Sequence, residues 1–246
     1  MDKTGKWRLS PAYDISWSYN PEGKWSIKQL NKSEKDTAYY TETFSSQKSN
    51  CLMLQASMRV SFTSPKVMHW ITELVLWLFK NDEVALLTNE AEGIAALATK
   101  ENFLDEKDYK LGVTTPHIVF NFLDYLLWKN NKNKYSNFEF EFRNSVEHWY
   151  PQNPSDGSFD SWNDKDTFGN LCIISRSVNS KFSNLSPESK MKSYGKMVEK
   201  GSLKLRLMGE IIQQNSNDDW IENYCKKHEE GMISILENAC MRLCKM

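Results

Sequence analysis

From Pro65 onward the apolar residues recur with a helical period. Val67, Trp70, Ile71, Leu74, Val75 and Leu78 follow i, i+3, i+4, i+7 spacing, which predicts an amphipathic helix opened by a proline in its first turn. Glu90 to Ala98 predicts a second helix. Thr115-Pro116 opens a third, with Val119, Phe122, Leu123, Leu126 and Leu127 apolar, until the polar run Asn130 to Lys134 breaks it. The period then shortens. Phe138, Phe140 and Phe142 alternate with Glu139, Glu141 and Arg143, the pattern of a strand with one buried face, and the chain runs directly into Val146-Glu147-His148. A loop rich in Gly, Ser, Asp and Asn spans Asn153 to Thr167. Leu171 to Ile174 reads as a short buried strand, and a helix starts near Val178 or after Pro187. Ile221, Cys225, His228, Met232, Ile235 and Ala239 mark one face of a long final helix, preceded by the acidic N-terminal signal Asp218-Asp219. The order of strand, long loop, strand and helix, flanked by helices on both sides, predicts an α+β fold that is mainly helical.

The first fifty residues differ. They are polar and turn-rich, with Trp7, Trp17, Tyr19 and Trp25 spaced as a hairpin around Asn20-Pro21-Glu22-Gly23. Asn31 to Asn50 is rich in Ser, Lys and Thr and reads as a linker.

Composition narrows the function classes. The chain has 246 residues, enough for one large domain or two small ones, and its 40% hydrophobic share supports a real core rather than wholesale disorder. A formal net charge of −1 excludes a nucleic-acid coat that works by bulk positive charge. The longest apolar run, Leu74 to Phe79, is too short to span a bilayer, and no signal peptide is visible, so the reading is no membrane and a reducing cytoplasm. Cys51, Cys172, Cys225, Cys240 and Cys244 form no CxxC pair, so zinc-finger spacing is absent. The four-residue spacing of Cys240 and Cys244 suits helix packing better than chemistry.

The chemistry is concentrated after the alternating stretch, in Glu147-His148-Trp149-Tyr150-Pro151, Gly169-Asn170 and Asn179. Hydrolysing a phosphodiester requires a group that takes a proton from water, and a neutral histidine titrates in the right range. It also requires neutralisation of the phosphate oxygens and stabilisation of the leaving 3′ oxygen, tasks for a hard divalent cation with one or two oxygen ligands from protein. Glu147 and Asn179 are donors of that kind. Adjacent strand residues face opposite sides, so Glu147 and His148 serve one site only if the strand bends or ends there, and Pro151 places an end nearby. Each residue also has an ordinary reading. His148 alone suits a structural role, Asn170 a turn and Asn179 a helix N-cap. Trp149 and Tyr150 suit either core packing or base stacking. A basic run follows, with Arg176, Lys181, Lys190, Lys192, Lys196, Lys200, Lys204 and Arg206 opposed by only Glu188 and Glu199. Such a run is either a solvated face or a surface for a phosphate backbone.

Together, Glu147-His148-x-x-Pro151, Gly169-Asn170-Leu171, Asn179, Lys190 and Tyr194 resemble the HNH (His-Me finger) nuclease pattern. The closest likeness is the C-terminal nuclease domain of GmrSD-type restriction proteins, over roughly residues 50 to 246. The resemblance implies a ββα-metal core embedded among helices and a DNA endonuclease of a phage-defence system. It also implies His148 as general base, Asn170 as the residue that holds the loop and orients the histidine, and Glu147 and Asn179 as ligands of a single Mg²⁺ or Mn²⁺. Arg176, Lys181, Lys190, Lys192 and Lys196 then become the DNA-binding set. Many HNH nucleases carry Asp where this chain has Glu147.

The partition expected from this likeness is 51–136 as helical lead-in, 137–200 as the HNH core and 201–246 as C-terminal helices. It leaves 31–50 as linker and 1–30 as a HipA-like fragment or fusion remnant. Lys6 to Ile15, with Tyr19-Asn20-Pro21 and Gly23-Lys24-Trp25, resembles a segment of HipA-type kinases, but the kinase's nucleotide-binding and catalytic segments have no counterpart. GmrSD-type proteins usually pair the nuclease with an NTPase domain, and no GxxxxGK[ST] loop occurs here. The partners implied are therefore DNA and a separate NTPase or specificity subunit. The alternative is a non-catalytic DNA-binding or regulatory remnant.

Overall fold

The computed structural model describes residues 28–32, 38–42, 48–81, 86–105, 109–154, 162, 164–215 and 220–244. The proposed HipA-like segment and the hairpin around Asn20 lie outside them, apart from residues 28–30. The chain divides into two compact units, residues 1–94 and 95–246.

In the first unit, β1 (Lys28–Lys32) and β2 (Ala38–Glu42) pair antiparallel with Leu30 opposite Tyr40. The stretch read as a linker thus carries strand β2 and the opening of helix α1 (Lys48–Ser61). α1 buries Cys51, Leu54, Gln55, Ser57 and Met58, an i, i+3, i+4, i+7 stripe that polar residues interrupt, which is why the sequence pattern did not reveal it. α2 (His69–Lys80) appears where periodicity predicts it and buries Trp70 and Leu74. α3 (Leu87–Thr99) covers the predicted second helix, and the boundary between the units falls within it.

The second unit is mainly helical and carries the β-hairpin that the site sits on. At its centre is α4 (His117–Asn130), in which every residue from 118 to 128 is buried, including Asn121 and Asp124. The sequence predicts this helix with Val119, Phe122, Leu123, Leu126 and Leu127 apolar. A helix surrounded on all sides was found, because α7 (Leu203–Gln214), α8 (Glu222–Leu243) and strand β4 (Leu171–Ile174) all pack on it. Asp124 has a specific task. Its Oδ1 accepts the backbone N–H of Lys204 at 3.0 Å in the first turn of α7, while Ser202, the residue at the cap position, makes no side-chain cap bond. A side chain of α4 therefore caps α7, and the carboxylate meets the positive end of the α7 dipole.

β3 (Ser145–His148) pairs antiparallel with β4, placing Glu147 opposite Cys172 and His148 opposite Leu171. The alternating Phe138–Phe142 stretch is not a strand. The ladder reaches only one residue before β3, where Asn144 N–H donates to Ile174 O at 3.2 Å. Beyond that point β4 has already become helix α5 (Arg176–Phe182), because Ser175 caps it with its Oγ accepting from Val178 N. Residues 138–143 are thus left without a partner strand. Phe138 is buried under the Arg206 guanidinium, 5.2 Å from the ring centroid, whereas Phe142 is exposed. The two alternatives for the next helix are both realised, as α5 and as α6 (Pro187–Glu199), the latter capped by Ser186 with Pro187 in its first turn.

Trp149, Tyr150, Trp162, Cys172, Ile174, Phe182, Trp220 and Cys225 share one buried cluster beneath the hairpin. Trp149 and Tyr150 are core residues, and Tyr150 stacks on Trp162 with centroids 4.5 Å apart. No helix among the described residues is long and apolar enough to cross a membrane.

Candidate active site

β3 ends at His148, and the chain bends over residues 149–150. Glu147 and His148 are both still paired in the ladder, and the strand ends directly after them. Both are mostly enclosed, with side chains 12% and 11% exposed.

The bend is fixed by Asn170, the last residue of the 3₁₀ turn Phe168–Asn170 that leads into β4. Asn170 is fully buried and its amide is engaged on both sides. Oδ1 accepts Tyr150 N–H at 2.8 Å, and Nδ2 donates to Tyr150 O and Lys165 O, each at 2.9 Å. Its backbone carbonyl accepts Trp149 N–H at 2.8 Å. Asn170 thus holds the two residues that follow His148 to the residue that precedes β4. It is a clamp, and it does not present a reactive group.

Gly169 belongs to the same turn for a steric reason. A Cβ there would lie 2.4 Å from Cys225 O and 2.8 Å from Glu229 Cβ, because α8 passes directly against the backbone. Only glycine permits that approach.

Two lysines of the basic run point inward. Lys190, on α6, is completely buried; its Nζ donates to Glu147 Oε1 at 3.1 Å, His148 O at 2.7 Å and Trp149 O at 2.9 Å. Burial lowers its pKa, and the Glu147 charge opposes that shift. Lys204, on α7, is equally buried and donates to Phe168 O at 2.7 Å and Leu171 O at 2.6 Å; burial pulls its pKa down to about 8. One ammonium therefore gathers the carbonyls leaving β3 and the other those entering β4. Lys190 does not join an exposed basic face as expected, because its three acceptors hold it inside. Arg176, Lys181, Lys192 and Lys196 are exposed. They lie on α5 and α6, which pack together, and α5 also packs against β3.

Asn179 is the fourth residue of α5, and the cap is Ser175, so Asn179 does not open the helix. Its Nδ2 donates to Ser145 Oγ at 2.6 Å. Ser145 and Glu147 are two apart on β3 and so share a face, which puts Asn179 on the Glu147 side of the hairpin. That bond also orients the amide, so Oδ1 is its remaining polar atom. For a hard divalent cation the donor chemistry is suitable: a carboxylate and an amide oxygen. Among the described residues no group of three or more His, Cys, Asp or Glu side chains gathers as a metal cage. An ion that keeps several waters, as Mg²⁺ does, suits such a pair.

The residue that sequence reasoning missed is Asp166. Its Oδ1 lies 2.7 Å from His148 Nε2, and Gln152 Nε2 donates to the same oxygen at 3.3 Å. Asp166 stands in the polar loop shortly before Leu171, the residue that pairs with His148, and only the register of the hairpin brings it to the histidine.

The family model for GmrSD restriction endonucleases, C-terminal domain, matches residues 97–235, more than half of the chain. The chain belongs to this family. The match lies within the second unit and spans α4, the β3–β4 hairpin, Asn170, Asn179 and both buried lysines. It makes this region a restriction endonuclease domain of the GmrSD type, with DNA as its substrate class. No curated protein and no solved structure matches the chain.

Proposed function

We propose that the GmrSD-type domain is a metal-dependent DNA endonuclease of the HNH kind, acting in the cytoplasm as the cutting module of a phage-defence system. The observation that carries this reading is the hairpin geometry. Glu147 and His148 are the last two residues of β3, and Asn179 is docked on the same strand through Ser145. In the reaction, the oxygen of a water bonds to phosphorus and the bond from phosphorus to the 3′ oxygen breaks. The water's proton goes to the imidazole of His148, and the leaving 3′ oxygen takes a proton from solvent. Glu147 and Asn179 would hold Mg²⁺ or Mn²⁺, which when bound neutralises the phosphate and the leaving oxygen. Arg176, Lys181, Lys192 and Lys196 offer an exposed basic surface on the two helices after the hairpin, suited to contacts with the phosphate backbone. Target choice falls to a separate NTPase or specificity subunit.

The test is plasmid nicking by the purified chain in Mg²⁺ or Mn²⁺ beside His148→Ala. Loss of a general base lowers the rate by roughly 10²- to 10⁴-fold. Equal cleavage by the variant removes His148 from the chemistry. A non-catalytic, DNA-binding remnant remains a second reading because the Lys190 ammonium already occupies one Glu147 oxygen. Salt-sensitive DNA binding with no cleavage in any divalent metal would favour it.

A further inference from the structure

Asp166 lies outside every motif that marks the site, yet the surrounding structure is built to hold it against the histidine. Its backbone N–H donates to Asp164 Oδ1 at 3.1 Å, and Asp164 Oδ2 is in turn held by Lys110 Nζ at 2.8 Å. Gly112, buried at φ +55°, leaves the necessary room, since a Cβ there would stand 2.9 Å from Asp166 Oδ1, the same oxygen that meets His148. The turn carrying Gly112 packs against β3. Gly112 and Gln152 therefore meet the Asp166 carboxylate oxygen directly, while Lys110 and Asp164 hold its backbone. An ordinary exposed ion pair contributes about 0–1 kcal/mol and needs no such framework.

We propose that Asp166 is the positioning residue of the site: it accepts the Nε2–H of His148 and so leaves the lone pair on Nδ1 to receive the water's proton. A neutral imidazole has one donor and one acceptor nitrogen, and the partner of one nitrogen decides the role of the other. A carboxylate can only accept, so Nε2 must carry the hydrogen. When Nδ1 takes the water's proton the ring becomes a cation, and the Asp166 carboxyl group faces it 2.7 Å from Nε2. This is the logic by which a carboxylate orients the histidine in a serine-protease triad. The proposal deepens the nuclease reading and rests on it for its catalytic meaning.

The experiment uses the full chain labelled with ¹⁵N and reads the His148 ring nitrogens by long-range ¹H–¹⁵N correlation in the neutral ring, beside Asp166→Asn and Asp166→Ala. Wild type is expected to show the Nε2–H tautomer. Asp166→Asn can turn an amide donor toward Nε2 and is expected to shift the ring toward the Nδ1–H tautomer, and Asp166→Ala to give a mixture. Cleavage by Asp166→Asn is expected to fall by about 10²- to 10⁴-fold in kcat with little change in KM. A wild-type ring in the Nδ1–H form, or a tautomer unchanged in both variants, overturns the proposal whatever the cleavage rate. Unchanged kcat in a variant whose tautomer has shifted also overturns it. A wild type that shows the Nε2–H tautomer and does not cut overturns the nuclease reading instead, and leaves the His148–Asp166 pairing supported.

Discussion

Exchanging Asn170 for Asp changes no shape and should be severely destabilising. The introduced carboxyl keeps one oxygen where Oδ1 accepts Tyr150 N–H at 2.8 Å. Its other oxygen replaces an NH₂ group that donates to two carbonyls, Tyr150 O and Lys165 O, each 2.9 Å away. Two hydrogen bonds become two contacts between acceptors in a site with no solvent exposure. Each buried acceptor left unpaired costs about 1–3 kcal/mol, so the loss is about 2–6 kcal/mol. Repulsion or forced protonation of the new carboxyl adds to it. Domains are stable by only about 5–15 kcal/mol, so Asn170→Asp should show a much lower urea midpoint at pH 7. The direction of the pH effect is fixed as well. A carboxyl whose folded pKa is raised binds its proton more tightly in the folded state, and a protonated carboxyl regains one donor. The deficit against wild type must therefore shrink as pH falls from 7 toward 5. Asn170→Asp with wild-type stability at pH 7, or a deficit that grows on acidification, would refute the clamp.

Gly169→Ala should cost at least ~3 kcal/mol because the new methyl meets α8 backbone at 2.4 Å, while Gly231→Ala, mid-helix in α8 with nothing within 4 Å, should stabilise by ~0.5–1 kcal/mol. Paired thermal melts check both, and an equal response at the two positions would contradict the close approach of α8. Asp124 offers a test by pH, because burial raises its carboxyl from 3.8 to about 6. The folded state then holds the proton more tightly, so this group's contribution is most favourable below about pH 4 and is lost as pH rises through 6, a total of roughly 3 kcal/mol. Wild type should accordingly gain stability relative to Asp124→Asn on acidification from pH 7 to 4.5, as read by denaturant titration. An unchanged or opposite difference would show that Asp124 is not desolvated as the fold implies.

What the sequence reveals here depends on whether a residue's role is local. β4 is legible because four apolar residues stand between Asn170 and Ser175, and the strand covers those four. α2 and α3 are legible because one face of each carries the apolar period. The Phe138–Phe142 alternation misleads because a strand requires a partner, and the partner ends at a serine cap some thirty residues further on. Lys190 misleads for a related reason. A lysine in a basic stretch of helix looks like surface, and what turns it inward is a set of carbonyls over forty residues upstream. Asp166 was hidden in a polar loop, where periodicity says nothing. These last cases concern the same few ångströms of structure. Lys190, Lys204 and Asn170 bind backbone carbonyls, and Asp166 binds the ring that this backbone presents. The motif residues Glu147, His148 and Asn179 name the chemistry. The geometry that would let them act together is held by buried amide and ammonium donors on α6, α7 and the 3₁₀ turn, so damage to these supports should disable the site as surely as loss of His148 itself.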